Sequence, residues 1–268
     1  MGLRDGLMPQ PQENAMGLLD HKTAVITGGN SGIGLATAQR FIAEGAARVF
    51  ITGRRQSELD AAVKELGPRA VAVRGDVGVA GDLDRLYVEV GAAGTGLDIV
   101  VANAGFTRVA RLGDITDDDL DALLTTNVKG VVYTVQKALP LLNEGASVIL
   151  IGSTTADRGR AGLSIYAASK AAVRSLARGW ANELADRNIR VNVVVAGSTA
   201  TPGSDALATQ TNPDVPIDEF RAGRVADIPL GRFADPVEIA NAAVFLASTL
   251  SSFITGSTVT ADGGFNQV

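Results

Sequence analysis

Apolar residues in this chain fall in short, continuous runs separated by longer stretches in which they recur at helical spacing. The runs are Ala24–Thr27, Arg48–Thr52, Ala70–Arg74, Asp98–Ala102, Ser147–Gly152, Arg190–Val195 and Thr258–Ala261. They are rich in Val and Ile and do not alternate with polar residues, which is the pattern of strands buried on both faces. The amphipathic stretches lie at about Ile33–Glu44, Glu58–Glu65, Asp82–Val90, Asp117–Leu142, Ser164–Arg187 and Pro236–Ser248. Strand and helix alternating this often predict an α/β fold: a doubly wound parallel sheet of about seven strands with helices on both faces. No shift in composition marks a second domain. Residues 18–268 read as one domain, with an inserted segment at about Thr201–Ile228, rich in Pro, Ala and Asp, that reads as a lid. Residues 1–17, with Pro9 and Pro11 among polar neighbours, read as a disordered N-terminal extension, and Met16 resembles a second start.

The first strand runs into Thr27-Gly28-Gly29-Asn30-Ser31-Gly32-Ile33-Gly34, and a helix pattern follows at once. Strand, glycine turn and helix start in that order form a phosphate cradle. Glycine lets the backbone turn sharply and lets a pyrophosphate approach, and the helix N-terminus offers free N–H groups and a partial positive charge. The spacing is G-x-x-x-G-x-G rather than G-x-G-x-x-G. About twenty residues on, a dinucleotide site selects its cofactor at the tip of the second strand: an acidic residue there suits a ribose 2′-hydroxyl, an Arg suits a 2′-phosphate. This chain reads Thr52-Gly53-Arg54-Arg55, with no carboxylate at the tip. Guanidinium groups match phosphate geometry, so NADP is favoured over NAD; the plainer reading is two solvated charges ahead of a helix. Asp76-Val77 ends the third strand near the expected adenine rim. Asn103-Ala104-Gly105 ends the fourth, where small residues let a cofactor come close. Taken singly, each of these fits an ordinary turn as well.

Tyr166 and Lys170 stand four residues apart in a helix pattern and so share a face. A nearby ammonium lowers the pKa of a phenol, which makes Tyr166 an acid/base for a carbonyl/alcohol pair; without other signals such a pair is an ordinary surface pair. Ser153, at the end of the fifth apolar run, sits on the ligand edge of an open sheet, where its hydroxyl could hold a substrate oxygen beside Tyr166. Asn127 is a polar residue in an otherwise apolar helix face, either a satisfied buried amide or part of a water relay to Lys170. Phe106, Val109, Leu163 and Leu207 could form an apolar substrate pocket or simply pack in the core.

Composition narrows the chemistry. There is no cysteine, which removes disulfides, thiolate catalysis and thiolate-bound metal. His21, just before the first strand, is the single histidine and reads as a surface residue, so proton chemistry near neutral pH falls to Tyr, Lys, Asp or Glu, and no metal site is expected. A net charge of −5 without a basic block argues against nucleic acid as a partner. No apolar run reaches the ~18–20 residues that cross a bilayer, and no secretory signal pattern is present, so no membrane partner and a cytoplasmic location are expected.

Taken together, Thr27–Gly34, Asp76, Asn103-Ala104-Gly105, Asn127, Ser153, Tyr166, Lys170 and the ending Ile254-Thr255-Gly256…Asp262-Gly263-Gly264 resemble the single-domain branch of the short-chain dehydrogenase/reductases, over nearly all of 18–268. The resemblance implies a Rossmann-like fold and an NAD(P)-dependent oxidoreductase that moves a hydride between the nicotinamide and a small carbonyl or secondary alcohol. It implies a catalytic tetrad of Asn127, Ser153, Tyr166 and Lys170. Tyr166 exchanges the proton, Ser153 orients the carbonyl, Lys170 binds the nicotinamide ribose and lowers the Tyr pKa, and Asn127 supports a relay water. Cofactor contacts are implied at Gly28, Asn30, Ser31, Gly32, Ile33, Gly34, Arg54, Arg55, Asp76, Val77, Asn103, Ala104, Gly105, Tyr166, Lys170, Gly197, Thr199 and Thr201. It also implies a homotetramer with an interface on the helices after Thr116 and Ser164, which leaves Trp180 and Leu184 as interface or core packing. The chain departs from the family after the sixth strand, where Ala196-Gly197 replaces Pro-Gly and Thr199 replaces an apolar residue. An enoyl-reductase reading is disfavoured, because that branch spaces its Tyr and Lys more widely. A non-catalytic nucleotide-binding protein of the same fold is the alternative, against which the intact Ser153, Tyr166 and Lys170 argue.

Overall fold

All seven apolar runs become strands of one parallel sheet: β1 (Thr23–Thr27), β2 (Arg48–Gly53), β3 (Ala70–Arg74), β4 (Leu97–Ala102), β5 (Leu142–Ser153), β6 (Arg190–Ala196) and β7 (Thr258–Ala261). In this computed structural model, which describes residues 17–268, the strand order is β3-β2-β1-β4-β5-β6-β7. The extension expected over residues 1–17 lies, apart from Gly17, outside the described residues.

The continuous apolar runs are explained by the two cores they feed. Along β1, Val25 packs into one core and Ala24 and Ile26 into the other; Val148 and Leu150 of β5 part from Ile149 and Ile151 in the same way. Each face is covered by helices. One carries α1 (Gly32–Ala43), α2 (Gln56–Leu66) and α9 (Pro236–Ala247), with Phe41, Leu59 and Ile239 fully buried. The other carries α3 (Ala80–Ala92), α5 (Gly130–Ala138) and α6 (Ser164–Glu183), with Leu86, Val135 and Val173 buried. Burial of each such side chain is worth ~1.5–3 kcal/mol, so the two layers fix strand register and face together. Trp180 and Leu184 are partly buried against the second core.

One predicted element divides. The helix expected over Asp117–Leu142 is instead α4 (Asp117–Leu124), a π-helical turn at Thr125–Lys129 and α5, which ends at Ala138. The wide turn closes through the Gly130 N–H on the Thr125 carbonyl. Gly130 also passes so close to Val77 that a Cβ would stand 2.6 Å from its Cγ2. Pro140, which has no N–H, stops the helix, and Leu142 already belongs to β5, pairing with Leu97. The inserted segment folds as two further helices, α7 (Pro202–Thr211) and α8 (Ile217–Val225). Among the described residues no helix is long and apolar enough to cross a membrane, and no group of His, Cys, Asp or Glu is disposed to hold a metal ion.

Candidate active site

The order of the strands reverses between β1 and β4, and a crevice opens there along their carboxyl ends. A cleft of about 540 Å³ follows this edge. Its phosphate end is the glycine turn. Gly28 (φ 65°) and Gly32 (φ 52°) adopt left-handed backbone, and a Cβ on Gly34 would stand 2.2 Å from the Gly28 carbonyl oxygen. Ser31 caps α1 without a side-chain hydrogen bond, so the first N–H groups of α1 stay open to an anion. Asn103 secures the turn from β4: its Nδ2 donates to the carbonyls of Thr27 (2.9 Å) and Gly28 (3.2 Å). The residues present therefore fit a dinucleotide pyrophosphate.

Gly28, Asn30, Ser31, Gly32, Ile33, Arg54, Arg55, Asp76, Val77, Asn103, Ala104, Gly105, Gly197, Thr199 and Thr201 all line this cleft, and Gly34 lies just behind as the packing glycine. The two arginines differ. Arg54 is exposed, with the Asp76 carboxylate 3.9 Å away. Arg55 is held by Glu58, which accepts from its Nε at 2.5 Å and Nη2 at 2.6 Å and also accepts from Asn30 Nδ2 at 2.6 Å. The hydrogen bond from Arg55 keeps the Glu58 carboxyl below its usual range. Asp76 is itself shaped by the loop, accepting from the Gly78 N–H, while its own N–H donates to Asp82.

The other end of the cleft gathers Ser153, Tyr166 and Lys170. Ser153 is the last residue of β5, and its Oγ accepts from the hydroxyl (2.9 Å) and N–H (3.3 Å) of Thr155. Both bonds fill acceptor sites, so its proton remains available to donate into the cleft. Tyr166 and Lys170 lie one turn apart on α6. Lys170 is 5% exposed, and its ammonium donates to the Ile151 carbonyl at 2.8 Å and stands 5.9 Å from the centre of the Tyr166 ring.

Asn127 lies in the π turn, fully buried, and does not line the cleft. Its Oδ1 accepts from the Phe106 N–H (3.0 Å), and its Nδ2 donates to the Phe106 carbonyl (2.9 Å) and the Ser169 hydroxyl (3.2 Å). Gly105 runs between it and Lys170: a Cβ there would stand 3.2 Å from Asn127 Oδ1 and 3.5 Å from Lys170 Nζ. A single amide thus holds the Phe106 backbone and the helix that bears Tyr166.

Phe106, Leu163 and Leu207 wall the Tyr166 end, whereas Val109 stands outside the cleft, its N–H donating to Gln210 Oε1. Thr155, Gln210, Phe220, Arg224 and Phe233 also reach the cleft and were missed by sequence reasoning. Only Thr155 had a local signal, a second hydroxyl beside Ser153. After β6, Gly197 allows the close approach of Asp262, whose Cα would be 2.6 Å from an added Cβ, and Thr199 Oγ1 donates to the Gly197 carbonyl.

A parallel sheet that carries a glycine cradle at one end of a cleft and a Ser, Tyr and Lys at the other defines a nucleotide-dependent oxidoreductase. The comparisons agree. A family model described as enoyl-(acyl carrier protein) reductase matches residues 28–266. "Oxidoreductase asL5" of Sarocladium schorii is 48% identical over 258 residues, 95% of this chain and all of that protein. The solved short-chain dehydrogenase/reductase "glucose/ribitol dehydrogenase" of Brucella melitensis superposes with a TM-score of 0.86 at 31% identity, over 94% of this chain and 99% of that one. A short-chain dehydrogenase of Burkholderia cenocepacia, solved in complex with NADP, gives 0.83 at 35% identity, over 92% and 99%. The chain belongs to the short-chain dehydrogenase/reductase family.

Proposed function

We propose that this protein is an NAD(P)-dependent oxidoreductase, with NADPH favoured, that interconverts a small-molecule ketone and its secondary alcohol. The observation that carries this reading is the meeting of Ser153, Tyr166 and Lys170 in one cleft with the glycine cradle of α1. Gly28, Gly32 and the open N–H groups at the N-terminus of α1 would hold the cofactor pyrophosphate, with Gly34 packing behind them. Arg54 would take the 2′-phosphate of NADPH, since Arg55 is already engaged by Glu58. When bound, the nicotinamide would supply or accept the hydride. Ser153 donates its free hydroxyl hydrogen to the substrate oxygen, and Tyr166 gives the proton to that oxygen as charge develops, or takes it in the oxidative direction. Lys170, buried beside the ring, would hold the nicotinamide ribose. Asn127 acts through Phe106 and α6, and a relay water belongs on the Lys170 side of Gly105.

The 201–228 segment serves as a lid. Its helix α7 begins at a capping box on Thr201, whose Cγ2 stands 3.2 Å from where a Gly32 Cβ would be, and it carries Leu207 to the substrate. A cytoplasmic homotetramer completes the reading; fully exposed Phe253 and exposed Leu250 and Leu124 support burial against other copies. The test is a panel of ketones and alcohols assayed with NADPH and NADH, alongside the affinity of each cofactor. Turnover with tighter NADPH binding is expected, and Arg54→Ala removes that preference. Tighter NADH binding contradicts the role of Arg54, and cofactor binding without turnover of any panel member contradicts the enzyme.

A further inference from the structure

Four cationic side chains line the cleft, and three have partners. Arg54 has Asp76, Arg55 has Glu58, and Lys170 has the Ile151 carbonyl. The fourth, Arg224 on α8, is half-buried, and among the described residues it has no carboxylate within ion-pair distance and no side-chain hydrogen bond. Its neighbour Arg221 shows the contrast: it is bound to Asp205 of α7 and lies over Phe233. The Arg224 guanidinium rests instead on the ring of Phe220, 5.2 Å from its centre. Asp76, at the adenine rim, is the one carboxylate residue among those lining the cleft. The rest of the wall is apolar or neutral, with Phe106, Leu163, Leu207 and Phe233 among it.

A guanidinium held on an aromatic ring in an apolar wall, with no internal counter-charge, is a receptor for an external anion. Stacking fixes its plane, partial desolvation strengthens a charge-assisted bond, and its fork matches the two oxygens of a carboxylate. One uncompensated positive charge balances a monoanion, whereas a phosphate dianion would stay half-neutralised. Resting on the carbonyl-reductase reading above, we propose that the substrate is an oxo acid. In that class a carboxylate is seated on Arg224 when α8 closes, an apolar linker crosses the phenylalanine and leucine walls, and the reacting carbonyl lies at Ser153 and Tyr166. Arg224 would then determine specificity through substrate binding, apart from the proton and hydride chemistry.

The probe is a ladder of oxo acids of increasing chain length, each paired with its methyl ester, with NADPH as reductant. The quantity read is the ratio of kcat/KM for acid over ester. At the chain length that spans the cleft the ratio should reach about tenfold to a hundredfold. Arg224→Gln should bring it to about one, and Arg224→Lys should restore part of it, with NADPH affinity and Tm confirming that both variants are folded. A wild-type ratio near one at every length overturns the proposal, as does a high ratio that survives Arg224→Gln. Loss of NADPH affinity in Arg224→Gln with the ratio intact also overturns it and assigns the guanidinium to a cofactor phosphate. If neither acids nor esters turn over while a ketone of the broader panel does, the oxo-acid proposal is overturned and the reductase reading stands; if the broader panel is inert as well, the reductase reading itself fails.

Discussion

Asn127 satisfies both backbone groups of Phe106 with one side chain, at a point where no regular element supplies partners. Asn127→Ala leaves a part-buried N–H and carbonyl unpaired, at up to ~1–3 kcal/mol each. Because a domain of this size loses ~2–4 °C per kcal/mol, thermal unfolding should move down by several degrees. Turnover should fall with it, since Phe106 and α6 both shift; an unchanged Tm would show that Phe106 is held by something else. That Ser153, Tyr166 and Lys170, the residues proposed to react, share one cleft was legible because their signals are local. Tyr166 and Lys170 are one helical turn apart, and Ser153 ends an apolar run. The partners of Asn127 and Arg55 were not legible. Phe106 is brought in by the chain fold rather than by spacing, and Glu58, which in the sequence only opens an amphipathic stretch, meets Arg55 and Asn30 through the folded loop.

At the scale of elements, strands buried on both faces announce themselves, and every one stands where its apolar run predicted, with β5 extended back to Leu142. The π turn in the predicted long helix was hidden because it widens a single turn, closed by the Gly130 N–H on the Thr125 carbonyl, and leaves the apolar periodicity almost intact. Helix α9 permits a sharper statement. Asp235 and Glu238 form a capping box around its first turn, and Glu238 also accepts two bonds from Arg232. The Arg232 hydrogen bonds, with that from the Asp235 N–H, hold the Glu238 carboxyl at about 2 against an ordinary 4.5. A depressed folded-state pKa stabilises above the unfolded value and loses that contribution as pH falls through the folded one. Glu238→Gln should therefore be less stable than wild type at neutral pH, and the difference should shrink between pH 4.5 and about 2. A difference independent of pH would mean that only the neutral cap matters. The group is solvent-exposed and its pair is screened by salt, so the effect should also weaken at high ionic strength.

For the molecule as a whole, the two cores and the cleft between the sheet edge and the 201–228 segment imply stabilisation on loading. NADPH at a hundredfold excess over its Kd should add ~2.7 kcal/mol, read as a rise in Tm larger than that given by NADH at the same concentration. Light scattering of the whole chain should return the mass of four copies, and a monomer would leave Phe253 exposed without explanation. On the proposed carbonyl chemistry an enoyl thioester should not be reduced, since Tyr166 and Lys170 stand one turn apart at the cleft.

The most direct test of the central claim is Tyr166→Phe, which removes one oxygen from the cleft and leaves the ring packing in place. For a ketone that the wild type reduces with NADPH, kcat should fall by ~10²–10⁴, the range for loss of a positioned acid, while NADPH affinity and Tm stay at wild-type values. Undiminished kcat in a folded, NADPH-binding Tyr166→Phe enzyme would contradict the account.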